Sequence, residues 1–203
     1  MEIHSKWGTS EYRGNPNPLK EIHPGPSYAQ DFLEKGFMLG FIGGTDTHTT
    51  MTFARNIEFE HLDKFPGITA VCTSELTRNN IFHGIKNRSC YATSMERIYL
   101  DVSINGEGQG KSIKWDNIKD FREIKVAVAA QSNIQTIEII RNGQCIYKYD
   151  TDDWKTDFIF TDKDELTSLE FKSQYIGNFI YYYVRVTCSS GAQAWSSPIW
   201  ILV

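Results

Sequence analysis

The segment Gly40-Phe41-Ile42-Gly43-Gly44-Thr45-Asp46-Thr47-His48 places a carboxylate and an imidazole two residues apart, just beyond an apolar run. In extended chain, side chains at i and i+2 leave the backbone on the same side, so Asp46 and His48 converge. An oxygen and a nitrogen ligand, flanked by the hydroxyls of Thr45, Thr47, Thr49 and Thr50, suit a divalent ion whose ligands are themselves hydrogen-bonded. Gly43 and Gly44 allow a sharp turn and a close approach of the backbone to a ligand. The same spacing also fits a plainer arrangement, an Asp that caps the following segment beside a surface His. A short motif does not by itself separate the two.

His4 and Glu11 are the other candidate ligands near the front of the chain. Glu2-Ile3-His4-Ser5 reads as a strand end, which would bring His4 to the same rim as Asp46 and His48. Taken singly, a His near a terminus and a Glu on a polar loop are ordinary solvated residues. His23 is wedged among prolines, while His61 and His83 read as surface or packing residues. There is no nucleophile elbow, P-loop or dinucleotide fingerprint. Cys72 and Cys90 lie in or beside apolar strands, a setting that does not activate a thiol. No catalytic nucleophile or base is assigned.

The elements that must position these residues follow from the pattern. Phe37 to Ile42 reads as a buried strand feeding the Asp46/His48 loop. Before it, Ser27 is a plausible N-cap for a short helix from Tyr28 to Lys35, closed by Gly36. After it come a strand over Ile68 to Cys72 and a helix capped by Thr77, with Ile81, Phe82 and Ile85 on one face. Strand alternating with helix predicts an α/β unit with its functional loops at strand ends. From Ile98 onward the helical period disappears. Short alternating segments between turn signals predict an antiparallel β-sandwich. Asn142-Gly143 between two β-rich runs is its clearest hairpin, because both turn residues need positive φ. In Phe179 to Cys188, Ile180, Tyr182, Val184 and Val186 fall on one face and Tyr181, Tyr183, Arg185 and Thr187 on the other. The expected class is α+β, with an α/β metal-binding part over residues 1–95 and the sandwich over 96–203.

Composition narrows the function. A formal net charge of −4 over 203 residues, with no basic run, argues against a nucleic-acid surface. No apolar stretch is long enough to span a membrane, and the first residues lack the apolar core of a signal peptide. The compartment stays open. Four scattered cysteines without a C-x-x-C pair are expected as buried free thiols rather than a zinc knuckle or a disulfide frame.

Gly43-Gly44-Thr45-Asp46-Thr47-His48 resembles the closing metal motif, G-[GS]-[ST]-D-x-H, of the PHP (polymerase and histidinol phosphatase) superfamily. Three further stretches resemble an uncharacterised branch of that superfamily: Glu2 to Glu11, Thr77 to Thr93, and Gly191 to Trp200. Together they cover nearly the whole chain. The resemblance implies a distorted (β/α) barrel, divalent ions (Zn, Mn or Fe) and a metal-bound hydroxide that attacks a phosphoester. It assigns Asp46 and His48 as the last two ligands, with the His4 region near an earlier one. The family's opening H-x-H pair and its early carboxylate ligands have no counterpart in this chain. The expectation is therefore the C-terminal part of a longer hydrolase: a barrel segment followed by an accessory sandwich, inactive alone. Its partners would be the missing N-terminal part or a second copy of the chain. The competing expectation is a β-sandwich binding or interaction module, in which Tyr181, Tyr183, Trp195 and Trp200 form a carbohydrate or protein surface rather than core.

Overall fold

The computed structural model describes residues 1–203 except 20–24, 26, 47–65, 95, 119–120 and 166–167. Strands dominate, and helices are few. In chain order the front half contains β1 (Glu2–Ser5), β2 (Gly8–Thr9), α1 (Ala29–Leu33), β3 (Ile42–Gly43), β4 (Gly67–Val71), α2 (Arg78–Lys86) and β5 (Cys90–Ser94). Then follow β6 (Tyr99–Ile104), β7 (Glu107–Gly108), β8 (Ser112–Lys114), β9 (Arg122–Ala129), β10 (Ile134–Arg141) and β11 (Gln144–Asp150). The chain closes with β12 (Lys155–Asp162), β13 (Phe171–Ser173), β14 (Gly177–Cys188), β15 (Gln193–Ser196) and β16 (Ile199–Leu202).

Three layers result. A small sheet, β2-β1-β3, pairs β1 parallel to β3. The large central sheet runs β11-β10-β14-β15-β5-β4, with β13, β16 and β8 attached to it. A third sheet runs β12-β9-β6-β7. Among the described residues no sheet closes into a barrel, so the barrel segment expected for residues 1–95 is not seen as such. The expected division near residue 95 does not break the hydrogen bonding either. β5 pairs antiparallel with β15, so the central sheet draws strands from both sides of it.

β14 explains the layering. Its alternation buries Ile180, Tyr182, Val184 and Val186 in one core with Leu100, Val102, Val126 and Val128 of the third sheet. Its other face buries Phe179, Tyr181 and Tyr183 in a second core with Ile3, Leu33 and Phe41 of the front layer. A strand apolar on both faces belongs in the middle of three layers. Between the central and third sheets, Asp162 pins both: Arg122 and Arg141 each lie 2.8 Å from its oxygens, and Tyr182 donates its hydroxyl at 2.8 Å.

Local expectations meet different fates. All four cysteines are free thiols, but only Cys90 and Cys188 are buried as expected, while Cys72 and Cys145 are exposed. Asn142 and Gly143 form the β10–β11 turn with φ of 51° and 78°. Thr77 caps α2, its Oγ1 accepting from the Asn80 N–H at 3.2 Å. α1 begins one residue later than expected, with Tyr28 at its cap and its N–H donating to Asp31 Oδ2 at 2.9 Å. The apolar run before Asp46 is mostly irregular, since only Ile42–Gly43 pairs as strand and Phe37 is exposed. The apolar side of α2 is turned outward, leaving Phe82 and Ile85 exposed. What the helix presents to the body is Gly84, where a Cβ would overlap Val71 Cγ1. No helix of the described residues is long and apolar enough to cross a membrane.

Candidate metal centre

The site is a rim at the ends of β1 and β3. Parallel pairing sets His4 opposite Gly43, and the Gly44 N–H donates to the His4 carbonyl at 3.0 Å. The Gly67 N–H in turn donates to the Gly44 carbonyl at 2.9 Å. Thr69 of β4 fastens the same point, its Oγ1 accepting from the Gly43 N–H at 3.1 Å and donating to the Gly43 carbonyl at 2.7 Å. The glycines serve close strand packing rather than a turn. A Cβ on Gly44 would overlap the Glu2 carboxylate, and one on Gly67 would overlap the His4 carbonyl oxygen. The left-handed residue is Asp46 itself, at φ 47°, a conformation that Asp tolerates better than most side chains.

Of the four residues expected to ligate, two are brought to this rim. Asp46 is exposed at its tip, and His4 is buried within it. The His4 Nδ1 lies 2.9 Å from Thr9 Oγ1. Its ring is stacked on Trp195 at 5.5 Å between centroids and 21° between planes. His48 lies outside the described residues.

Glu11 has another role than the one expected. It is 2% exposed, and both of its oxygens are committed. Oε1 accepts from the Tyr183 hydroxyl at 2.6 Å and from Arg185 Nη1 at 2.8 Å, and Oε2 accepts from the Trp195 indole N–H at 2.9 Å. A carboxylate so buried has to be paired and hydrogen-bonded, and three donors meet that requirement. Glu11 therefore ties the front layer to the central sheet rather than facing an ion.

Glu2, which the motif reading passed over, does sit on the rim, its carboxylate against Gly44. Partial burial raises its pKa, and the negative charge of Asp46 raises it further. The signal that could have found it is the two-residue spacing of Glu2 and His4 in one strand, the same spacing as Asp46 and His48. A carboxyl raised by burial and by the charge of Asp46, with an imidazole on the same strand, offers donor types that a divalent cation accepts. Among the described residues, no three His, Cys, Asp or Glu side chains cluster closely enough to hold an ion by themselves.

The aromatic residues named for a binding surface are core. Tyr181, Trp195 and Trp200 are 0% exposed and Tyr183 is 1% exposed, so none offers a ring face to a sugar.

Comparison with known proteins gives relatives but no activity. No protein-family profile matches the chain. It is 31% identical to an uncharacterised protein of Chlamydia pneumoniae over 99% of its own length and 34% of that protein's. Uncharacterised proteins of Chlamydia muridarum and Chlamydia trachomatis serovar D are each 30% identical, again over 99% of this chain and 34% of theirs. The chain thus spans about a third of the length of these relatives. Among solved structures, an engineered protein is similar over 54% of this chain and 21% of its own, at 10% identity and a TM-score of 0.32.

Proposed function

We propose that this chain is the C-terminal part of a PHP-type metal-dependent hydrolase acting on a phosphoester, with the β1/β3 rim supplying part of its divalent-ion site. The ligands would be Asp46, His48 and His4, with Glu2 beside them, and the ion Zn, Mn or Fe. The nearness of Asp46 to Glu2, where β1 pairs in parallel with β3, carries this reading. The central and third sheets would be the accessory β-sandwich, sharing one apolar core. The other ligands would come from a longer protein's N-terminal part or from a second copy of the chain.

A bound ion would lower the pKa of its water to roughly 7 and so supply hydroxide at neutral pH. The chain's own residues prepare for it. Thr9 holds Nδ1 of His4, so any further bond from that ring is made through Nε2. Glu2 and Asp46 concentrate negative charge at the rim. Because few protein ligands are available, binding by this chain is expected to be weak.

Calorimetric titration with Zn²⁺ tests the proposal. The wild-type chain should bind weakly with one set of sites, and Asp46→Ala should abolish the heat. Indistinguishable titrations for the two proteins would remove the rim as the site.

A further inference from the structure

We propose that Cys72 is a reactive thiol that exchanges with small anionic disulfides in a cleft at the end of β4. The proposal is independent of the metal reading. The sequence places Cys72 beside an apolar strand, but β4 ends at Val71 and leaves the next residue exposed. Its backbone is held from both sides. The Cys72 N–H donates to the Ser89 carbonyl at 2.8 Å, and Ser89 Oγ donates to the Cys72 carbonyl at 3.3 Å. The residue lines a shallow cleft of about 240 Å³ together with Asn80, His83, Asn87, Ser89 and Lys111. None of the described lining residues is a carboxylate. Amides, a hydroxyl, an imidazole and an ammonium around a thiol suit an anionic ligand.

A second observation comes from behind the sulfur. Gln109 is 4% exposed, and its Nε2 donates to Cys72 Sγ at 3.3 Å and to the Leu100 carbonyl at 3.4 Å. Oε1 of the same amide is buried with no hydrogen-bond partner among the described residues. Turning the amide over would set that oxygen against the Leu100 carbonyl, so an N–H stays on the sulfur. Sulfur is thereby placed as an acceptor, which is the role of the attacking thiolate. Cys145 supplies the contrast. It too is exposed, but its S–H donates to the Tyr147 carbonyl at 3.4 Å, and partial burial and the charge of Glu138 push its pKa up.

In the exchange, the Cys72 thiol gives its proton to solvent and Sγ attacks one sulfur of the disulfide. A new S–S bond forms to Cys72, the original S–S bond breaks, and the second sulfur leaves as a thiolate. Cys72 is oxidised and the departing half is reduced, so no further reagent takes part. Lys111, whose carbonyl accepts from the Trp200 N–H at 3.0 Å, meets the anionic substituents of the incoming disulfide.

Dithiobis-nitrobenzoate, a dianionic disulfide, is the probe, with uncharged dithiodipyridine as its control. Peptide mass spectrometry of the folded 203-residue chain should find the first adduct on Cys72, formed about tenfold faster than on Cys145. Lys111→Met should slow the dianionic reagent about fivefold at low ionic strength, a gap that closes in high salt, and should leave the uncharged reagent unaffected. Gln109→Leu should slow both reagents. Should that buried variant fail to fold, the exposed Lys111→Met carries the test. Reaction first at Cys145, or an equal effect of Lys111→Met on the charged and uncharged reagents, overturns the proposal.

Discussion

Asp162 shows how a single buried charge ties two layers together. Burial pushes its pKa up, but the Asp164 N–H, the Tyr182 hydroxyl, Arg141 and Arg122 together outweigh burial and hold it below the ordinary value. A carboxyl whose pKa is lower in the folded than in the unfolded state contributes stability that is present above the unfolded pKa, near 4. That stability is lost as pH falls through the folded value. Chemical denaturation at a series of pH values should therefore show wild type losing stability below about pH 5. Asp162→Asn should start about 3 kcal/mol lower at pH 7, because it leaves buried Arg122 without a carboxylate and Arg141 with Asp164 alone, and should fall less steeply in acid. Identical acid limbs would show that Asp162 does not couple to folding in this way. The sequence singles out Glu11 only as a possible ligand and Asp162 not at all, and it shows the buried pairing of neither. Each is an acidic residue in a polar stretch, and only tertiary contact surrounds it with donors from distant strands.

At the scale of elements, local chemistry was readable and tertiary orientation was not. The Asn142-Gly143 turn follows from two positive φ values that few other residues adopt readily. Gly143→Val should cost about 1 kcal/mol or more through left-handed strain, read as a lower urea midpoint. An unchanged midpoint would mean the turn relaxes at no cost. α2 teaches the opposite lesson. Thr77 and the periodicity identify the helix, yet the face that meets the body carries Gly84, not Phe82 or Ile85. Helix propensity alone would make Gly84→Ala stabilising by about 1 kcal/mol. Contact with the stiff Val71 side chain reverses the sign, so the expected result is a lower melting temperature, recovered in the double variant with Val71→Ala. Stabilisation by the single change would show that α2 lifts away from β4 freely. The division near residue 95 has the same origin. The alternation of β5 identifies a strand, but nothing local says that its partner is β15, a hundred residues later.

For the whole molecule, three layers share two cores, and the candidate site lies where the front layer meets the central sheet. The pairing of Asp46 with His48 lies outside the described residues, but the strand at His4 and the placing of Asp46 just beyond β3 were legible from the pattern. Glu2 and Trp195 were not, one for want of a motif and the other because it is nearly two hundred residues from His4 in sequence. Few ligands stand at the rim among the described residues, and on the proposed reading the expected outcome is no turnover of a generic phosphoester such as p-nitrophenyl phosphate by the chain alone. Metal-dependent turnover abolished by Asp46→Ala would show that the ligand set is complete within the chain or its copies. The rim itself is tested most directly by titrating Mn²⁺ into ¹⁵N-labelled protein and following paramagnetic signal loss, which registers even weak binding. The amides of Glu2, His4, Gly44 and Asp46 should lose intensity first, at substoichiometric Mn²⁺, and should be spared in Asp46→Ala. Loss centred elsewhere, or the same loss in the variant, would contradict a metal site at the ends of β1 and β3.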